Sequence, residues 1–333
     1  MQELEVAAPR RRRGLTWPWR GGPLAGALLA LGILVLFNLI ATPHFTSLQT
    51  LYVNLTQVTT IVIVAVGMTM VIATGGIDLS VGSLMAIAGA LAPLIFAGRL
   101  FGMGPGLLAD GLAFVLPVLA AMAFGTFNGW LVARFRIQPI VATLVLFIAG
   151  RGIAQVMTNG NLQAFHNASF YALGLGRVLG VPVQVWLMMA VVGAATWVMG
   201  RTLYGRQLLA VGGNEAAAQL SGLPVARIKI IVYAVSGLLS GIAGLIVIAI
   251  NSSSDANLVG LGMELDAIAA VAVGGTALTG GRASIIGTLL GALIIQLLRY
   301  TLLSHGVPDA AALVVKATVI LAAVYLQQVR RAS

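Results

Sequence analysis

Long apolar stretches separated by short polar or glycine-rich segments run along almost the whole chain. A helix rises about 1.5 Å per residue, so roughly 20 apolar residues cross a hydrocarbon layer about 30 Å thick. The pattern therefore predicts an all-α integral membrane protein with about ten transmembrane helices. The ten windows are residues 24–41, 53–73, 79–97, 112–133, 138–157, 183–199, 229–250, 263–279, 284–303 and 309–327.

Basic residues are concentrated in every second connection of this arrangement. If the N-terminus lies inside, the inside segments hold fourteen Lys or Arg residues and the outside loops hold only Arg99 and Arg177. Basic residues in short loops stay on the cytoplasmic side of a membrane. We therefore expect a basic cytoplasmic tail at 1–23, a membrane domain at 24–327 and a cytoplasmic tail at 328–333, with both termini cytoplasmic.

Composition agrees with a membrane protein and excludes several other classes. Only 8% of the 333 residues are charged and 59% are hydrophobic, whereas a soluble domain carries roughly 25% charged residues. The net charge of +10 comes largely from arginines at the chain ends, so topology explains it better than nucleic-acid binding. The chain has no cysteine, and its three histidines lie far apart in sequence. We expect no metal site and no disulfide.

The longest inside connection, residues 200–227, contains a short helix of its own. The run that begins at Glu215 favours a helix whose first turn carries an acid, and Gly222 should end it. Such a helix, held between two spans, could act as a lever, but a merely solvated loop fits the spacing equally well. The candidate residues are Gly212, Gly213, Asn214, Glu215, Ala216, Ala217 and Gly222.

Asp78 is a carboxylate between two apolar runs, where an unpartnered charge is costly. It precedes the third span, so capping that helix is favoured over direct contact with a solute. Other polar residues in or beside the spans either join helices or face a passage: Ser80, Asn128, Gln155 and Asn159. Arg151 should meet an acid such as Asp78 or a helix end, and Lys316 should extend towards an interface.

Four stretches of the sequence resemble one family. Residues 67–90, with GIDLSVG, and residues 127–160 and 264–295 resemble ABC sugar permeases of the ribose, xylose and galactose class. Residues 200–227 resemble the Glu-Ala-Ala coupling loop of importer permeases, although the spacing from Glu215 to Gly222 is one residue longer than the common pattern. Finer details of these motifs favour galactofuranose as the sugar.

The resemblance implies a membrane-spanning permease subunit of a bacterial importer, located in the inner membrane. Its implied partners are a cytoplasmic ATPase that carries ATP and magnesium, a periplasmic sugar-binding protein, and a second permease copy or paralogue. No GxxxxGK[ST] phosphate loop occurs in the sequence, so we expect no cofactor and no enzymatic activity in this chain. A permease for branched-chain amino acids, or an ion-coupled transporter that uses Asp78, stays open as an alternative.

The outside connection at 250–262 carries amides and a carboxylate and no basic residue. Such groups match sugar hydroxyls as donors and acceptors. An ordinary solvated loop is the simpler interpretation, and contact with a binding protein is as plausible as contact with sugar. The candidates for outside contacts are Asn251, Asp255 and Asn257.

Overall fold

The computed structural model describes residues 23–102, 104 and 106–332. The arginines of the N-terminal tail therefore lie outside the described residues. At the other end of the chain, the last helix continues to Ala332. Residues 328–332 of the expected C-terminal tail are therefore helical and continuous with the last span.

Helices dominate the described chain. They are α1 (Pro23–Ala41), α2 (Leu48–Ala73), α3 (Val81–Phe96), α4 (Leu107–Arg134), α5 (Pro139–Thr158), α6 (Ala168–Leu175), α7 (Val183–Arg201), α8 (Leu203–Gly213), α9 (Glu215–Leu220), α10 (Val225–Asn251), α11 (Met263–Val273), α12 (Ile285–Ser304) and α13 (Asp309–Ala332). Two short antiparallel pairs join β1 (Gln163–Ala164) to β4 (Ser253–Ser254) and β2 (Arg177–Val178) to β3 (Val181–Pro182). A helix lies in each of the ten windows expected from the sequence.

Seven of the described helices are long and apolar enough to cross a membrane: α1, α2, α4, α5, α7, α10 and α12. The helix α3 has 16 residues and α11 has 11, so α11 extends only about 16 Å. The expected span at 263–279 is wrong beyond Val273. Gly274 ends the helix and Gly275 adopts a φ of +84°, a backbone conformation that glycine adopts without strain.

The segment 252–262 bends back from the end of α10 towards the middle of the bundle. Asp78 contacts Ser236, and Gly244 packs on the backbone of Met85, so α3 runs alongside the second half of α10. At the start of α3, the backbones of Gly82 and Gly260 touch closely. Residue 260 therefore lies level with the middle of α10, and irregular backbone at this depth is tolerated because protein surrounds it.

The centre of the bundle is formed by α2 and α10. In α2, 83% of the most apolar window is buried within the described chain. Its neighbour α10 packs against α2, α3 and α4. The last helix, α13, is joined to α11 by an ion pair in which Lys316 Nζ lies 2.6 Å from Asp266 Oδ1. The expectation that Lys316 extends to an interface is therefore wrong.

Glycines bring α4 and α10 into backbone contact. A Cβ atom on Gly125 would lie 2.4 Å from the carbonyl oxygen of Tyr233, and one on Gly237 would lie 2.4 Å from that of Ala121. Only a residue without a side chain permits this approach. Each helix carries two glycines four residues apart, Gly125 and Gly129 in α4 and Gly237 and Gly241 in α10, and these spacings serve tight packing.

Replacing Gly125 by alanine should destabilise the protein by about 1–3 kcal/mol, because backbone cannot move aside as a flexible side chain can. The matched control is Gly193→Ala in α7, where an added Cβ meets nothing within 4 Å. We expect the thermal midpoint of the purified protein in detergent to fall for Gly125→Ala and to stay level or rise for Gly193→Ala. Equal midpoints for the two variants would contradict this account of the packing.

Candidate coupling site

The loop 200–227 folds into two capped helices. Asn214 lies between α8 and α9, and its Oδ1 accepts a hydrogen bond of 2.9 Å from the backbone N–H of Ala217. Gly222 follows α9 with a φ of +79°, which confirms that it ends this helix. The loop is therefore a defined structure with fixed helix ends.

Two side-chain contacts tie this loop to the first turns of α10. Lys229 Nζ lies 2.7 Å from Glu215 Oε2. The hydroxyl of Tyr204, in α8, donates to the carbonyl oxygen of Ile228 over 3.3 Å. Burial raises the pKa of Tyr204 to about 12, so the phenol stays protonated as this hydrogen bond requires.

A junction of three glycine segments fixes the other side of the loop. At its centre, a Cβ on Gly212 would overlap the carbonyl oxygen of Ala73, which is the last residue of α2. The backbone N–H of Gly281 donates to that same oxygen over 3.0 Å. A Cβ on Gly280 would lie 2.9 Å from the N atom of Gly75. The end of α8, the end of α2 and the loop 274–284 are thus in backbone contact, and we call this group the glycine junction.

A cleft of about 240 Å³ lies beside the junction. Its lining includes Glu215, Lys229, Tyr233 and Gly76. Tyr233 is 1% exposed, and its hydroxyl makes no hydrogen bond with any part of the chain that the structure describes. The cleft therefore separates part of loop 200–227 from the bundle, and a buried hydroxyl without a hydrogen-bond partner among the described residues lines it.

Asp78 organises a buried polar cluster beyond this cleft. Its Oδ1 accepts hydrogen bonds from Ser80 N at 3.0 Å and Ser80 Oγ at 2.6 Å, and its Oδ2 accepts one from Ser236 Oγ at 2.8 Å. Asn128 Nδ2 donates to Ser80 Oγ over 2.9 Å. The carboxylate thus orders the turn that leads into α3 and also joins α3 to α4 and α10.

One face of α10 connects the loop to this cluster. Lys229, Tyr233 and Ser236 are spaced four and three residues apart, so they lie on the same side of the helix. The first contacts Glu215, the second lines the cleft and the third contacts Asp78. No motif in the sequence selects Tyr233 or Ser236. Their spacing relative to Lys229 is the one signal that could have done so.

The remaining predicted residues lie at the opposite end of the bundle. Gln155 Nε2 donates to Asn257 Oδ1 over 2.7 Å, and Asn257 Nδ2 donates to Asp255 Oδ1 over 3.0 Å. Arg151 Nη1 donates to the carbonyl oxygens of Ala256 and Val259 over 2.8 and 2.6 Å, so Asp78 is not its partner.

Two candidates stand apart from this group. Asn159 follows α5 with a φ of +51°, and Asn251 is the last residue of α10. Both therefore occupy helix ends, and neither joins the Gln155–Asn257 contact.

Comparison with known proteins identifies relatives of this chain. Residues 51–324 match the family described as branched-chain amino acid transport system / permease component. The chain is 45% identical to the ribose import permease protein RbsC of Escherichia coli K12 over 303 residues, which covers 90% of this chain and 91% of that protein. It is 38% identical to the galactofuranose transporter permease protein YtfT of the same strain over 342 residues, covering 98% and 94% of the two chains.

A third relative transports another sugar. The L-arabinose ABC transporter permease protein AraH of Azospirillum brasilense is 34% identical over 331 residues, which covers 97% of this chain and 92% of that protein. No solved structure matches this chain.

Proposed function

Since this chain belongs to the permease family matched above, and its relatives include ABC permeases for ribose and galactofuranose, we propose that it moves a monosaccharide inward across the bacterial inner membrane. It is a multi-pass protein of that membrane. A periplasmic sugar-binding protein delivers the sugar, and a second permease copy or paralogue completes the passage.

The proposed topology has ten crossings or half-crossings and both termini in the cytoplasm. Three observations support it: the distribution of basic residues, the even number of windows, and a helix in each window. In this topology loop 200–227, α8 and α9 face the cytoplasm, whereas the 252–262 segment enters from the periplasmic side.

One observation carries the proposal of ATP-driven transport, namely the anchoring of loop 200–227. The glycine junction holds α8 against the end of α2, and the Glu215–Lys229 pair holds α9 against α10. A partner that moves α9 would therefore move both central helices. We assign this partner as a cytoplasmic ATPase, which would carry ATP and magnesium, since the sequence of this chain contains no phosphate loop.

Two observations indicate which sugar this chain transports. Sequence motifs favour galactofuranose, whereas identity is higher to a ribose permease, at 45% against 38%. We therefore place ribose first, with galactofuranose and arabinose as the sugars against which it is compared.

The test uses vesicles that contain this chain, its ATPase and its binding protein, supplied with each sugar. We expect uptake that requires ATP, and Glu215→Ala should lower it about tenfold, since coupling between sites typically amounts to 5–150-fold. Gln219→Ala truncates an exposed side chain of the same short helix without breaking the Glu215–Lys229 pair. It is the matched control and should lower uptake much less. Co-purification with the ATPase shows whether Glu215→Ala acts by loss of assembly.

Other outcomes favour the alternative functions. Uptake that follows a proton or sodium gradient without the ATPase would favour an ion-coupled transporter. ATP-driven uptake of leucine or valine in place of sugars would favour the amino-acid substrates in the family description.

A further inference from the structure

A group of polar side chains lies on the surface of the bundle near the periplasmic end of α5. It consists of Arg151, Gln155, Asp255 and Asn257, which we call the α5 patch. We propose that the α5 patch is a contact site for the sugar as it enters the passage. This inference rests on the proposed function and adds to it the residues that the sugar touches.

The depth of the α5 patch is the first argument. Gln155 lies three residues before the end of α5 and Arg151 seven, which is about 5 and 10 Å below the helix end. Segment 252–262 likewise runs from the periplasmic end of the bundle into its interior, where Gly260 contacts Gly82 at the level of the middle of α10. A small solute that enters between the helices reaches this depth, whereas a folded binding protein on the outer surface does not.

The orientation of the α5 patch is the second argument. One face of α5 packs against α3, and the other exposes Val145, Ile148 and Val156. Arg151 lies at the edge between these faces, and Gln155 lies on the exposed face two turns after Ile148. Both side chains are only partly covered. Charged and amide groups turned towards lipid are costly, so such residues face a water-filled passage or another protein surface.

The chemistry of the α5 patch is the third argument. The contacts Gln155–Asn257 and Asn257–Asp255 leave both amides with further donors and acceptors, because each amide offers two N–H groups and a carbonyl oxygen. Sugar hydroxyls likewise donate and accept. The patch holds one guanidinium, that of Arg151, and one carboxylate, that of Asp255. The patch therefore has no excess positive charge, which favours a neutral polyol over an anion.

The test measures sugar taken up per ATP hydrolysed in vesicles that contain the whole importer. Gln155→Met and Asn257→Leu remove the amides and leave apolar side chains of similar size, since leucine has as many side-chain heavy atoms as asparagine and methionine has one fewer than glutamine. We expect each to lower uptake per ATP about fivefold, as loss of a hydrogen bond does. Assembly and the stimulation of ATP hydrolysis by loaded binding protein should stay unchanged. Asn161→Leu, an exposed amide beyond the end of α5, should match the parent.

Two results would overturn the inference. If both variants keep the parent's uptake per ATP, the sugar does not touch the α5 patch. If they lose stimulation by loaded binding protein, the patch docks that protein and not the sugar. Failure of the proposed function looks different, because the parent importer itself would then show no ATP-driven sugar uptake.

Discussion

Replacing Gly212 by alanine is expected to abolish ATP-driven uptake, whereas the same change at Gly213 should leave it intact. A Cβ on Gly212 would overlap the carbonyl oxygen of Ala73 and lie 2.7 Å from the backbone N of Gly281. Both neighbours are backbone, so α8 must move away from α2 and the glycine junction must open. Overpacking of this kind costs about 1–3 kcal/mol even where side chains can adjust.

The two variants form a matched pair because both glycines belong to the last turn of α8. A Cβ on Gly213 meets nothing within 4 Å, and both changes raise helix propensity equally. Uptake, ATP hydrolysis and co-purification with the ATPase should be measured for both. Equal uptake would show that the glycine junction does not transmit motion, whatever its role in folding.

Asp78→Ala should be the most destabilising single change in the buried polar cluster. It leaves the hydroxyls of Ser80 and Ser236 and the N–H of Ser80 without their acceptor in a fully buried site. We expect a loss of about 2–5 kcal/mol in stability, because each unsatisfied buried donor carries its own desolvation penalty. The thermal midpoint of the purified protein measures this loss.

Asp78→Asn separates the geometry of the cluster from its charge. The amide keeps one acceptor oxygen for Ser80, and its NH2 group can donate to Ser236, whose hydroxyl can reverse its role. We therefore expect a much smaller loss of stability and substantial uptake. If Asn at this position keeps the fold but abolishes uptake, the carboxylate itself takes part in transport, as an ion-coupled mechanism would require.

Sequence alone predicted the membrane helices well because each window had to match the thickness of a bilayer. The same argument failed at 263–279, where a window of adequate length contains the glycine pair at 274–275. Hydropathy measures only the transfer of side chains to lipid, and this segment is surrounded by protein. Backbone conformation, and not hydropathy, therefore decides where α11 ends.

The candidate site was predicted in separate pieces. Motifs identified Glu215 and Asp78, but nothing in the sequence showed that one face of α10 joins them, because the contacts span 14 and 158 residues of chain. Likewise Gln155 and Asn257 were placed in different groups, and only the return of segment 252–262 brings them within 2.7 Å. Distances between residues remote in sequence depend on the tertiary fold, which local patterns do not encode.

Because Lys229, Tyr233 and Ser236 lie on one side of α10, their contacts depend on the exact number of residues between them. Each residue rotates the helix by about 100°, so one alanine inserted between Tyr233 and Ser236 would turn every later side chain of α10 by that angle. Ser236 would then point away from Asp78, and Gly237 would leave the backbone of Ala121. The number of residues in α10 between loop 200–227 and the buried polar cluster is therefore fixed, because any insertion breaks the contacts at one end or the other.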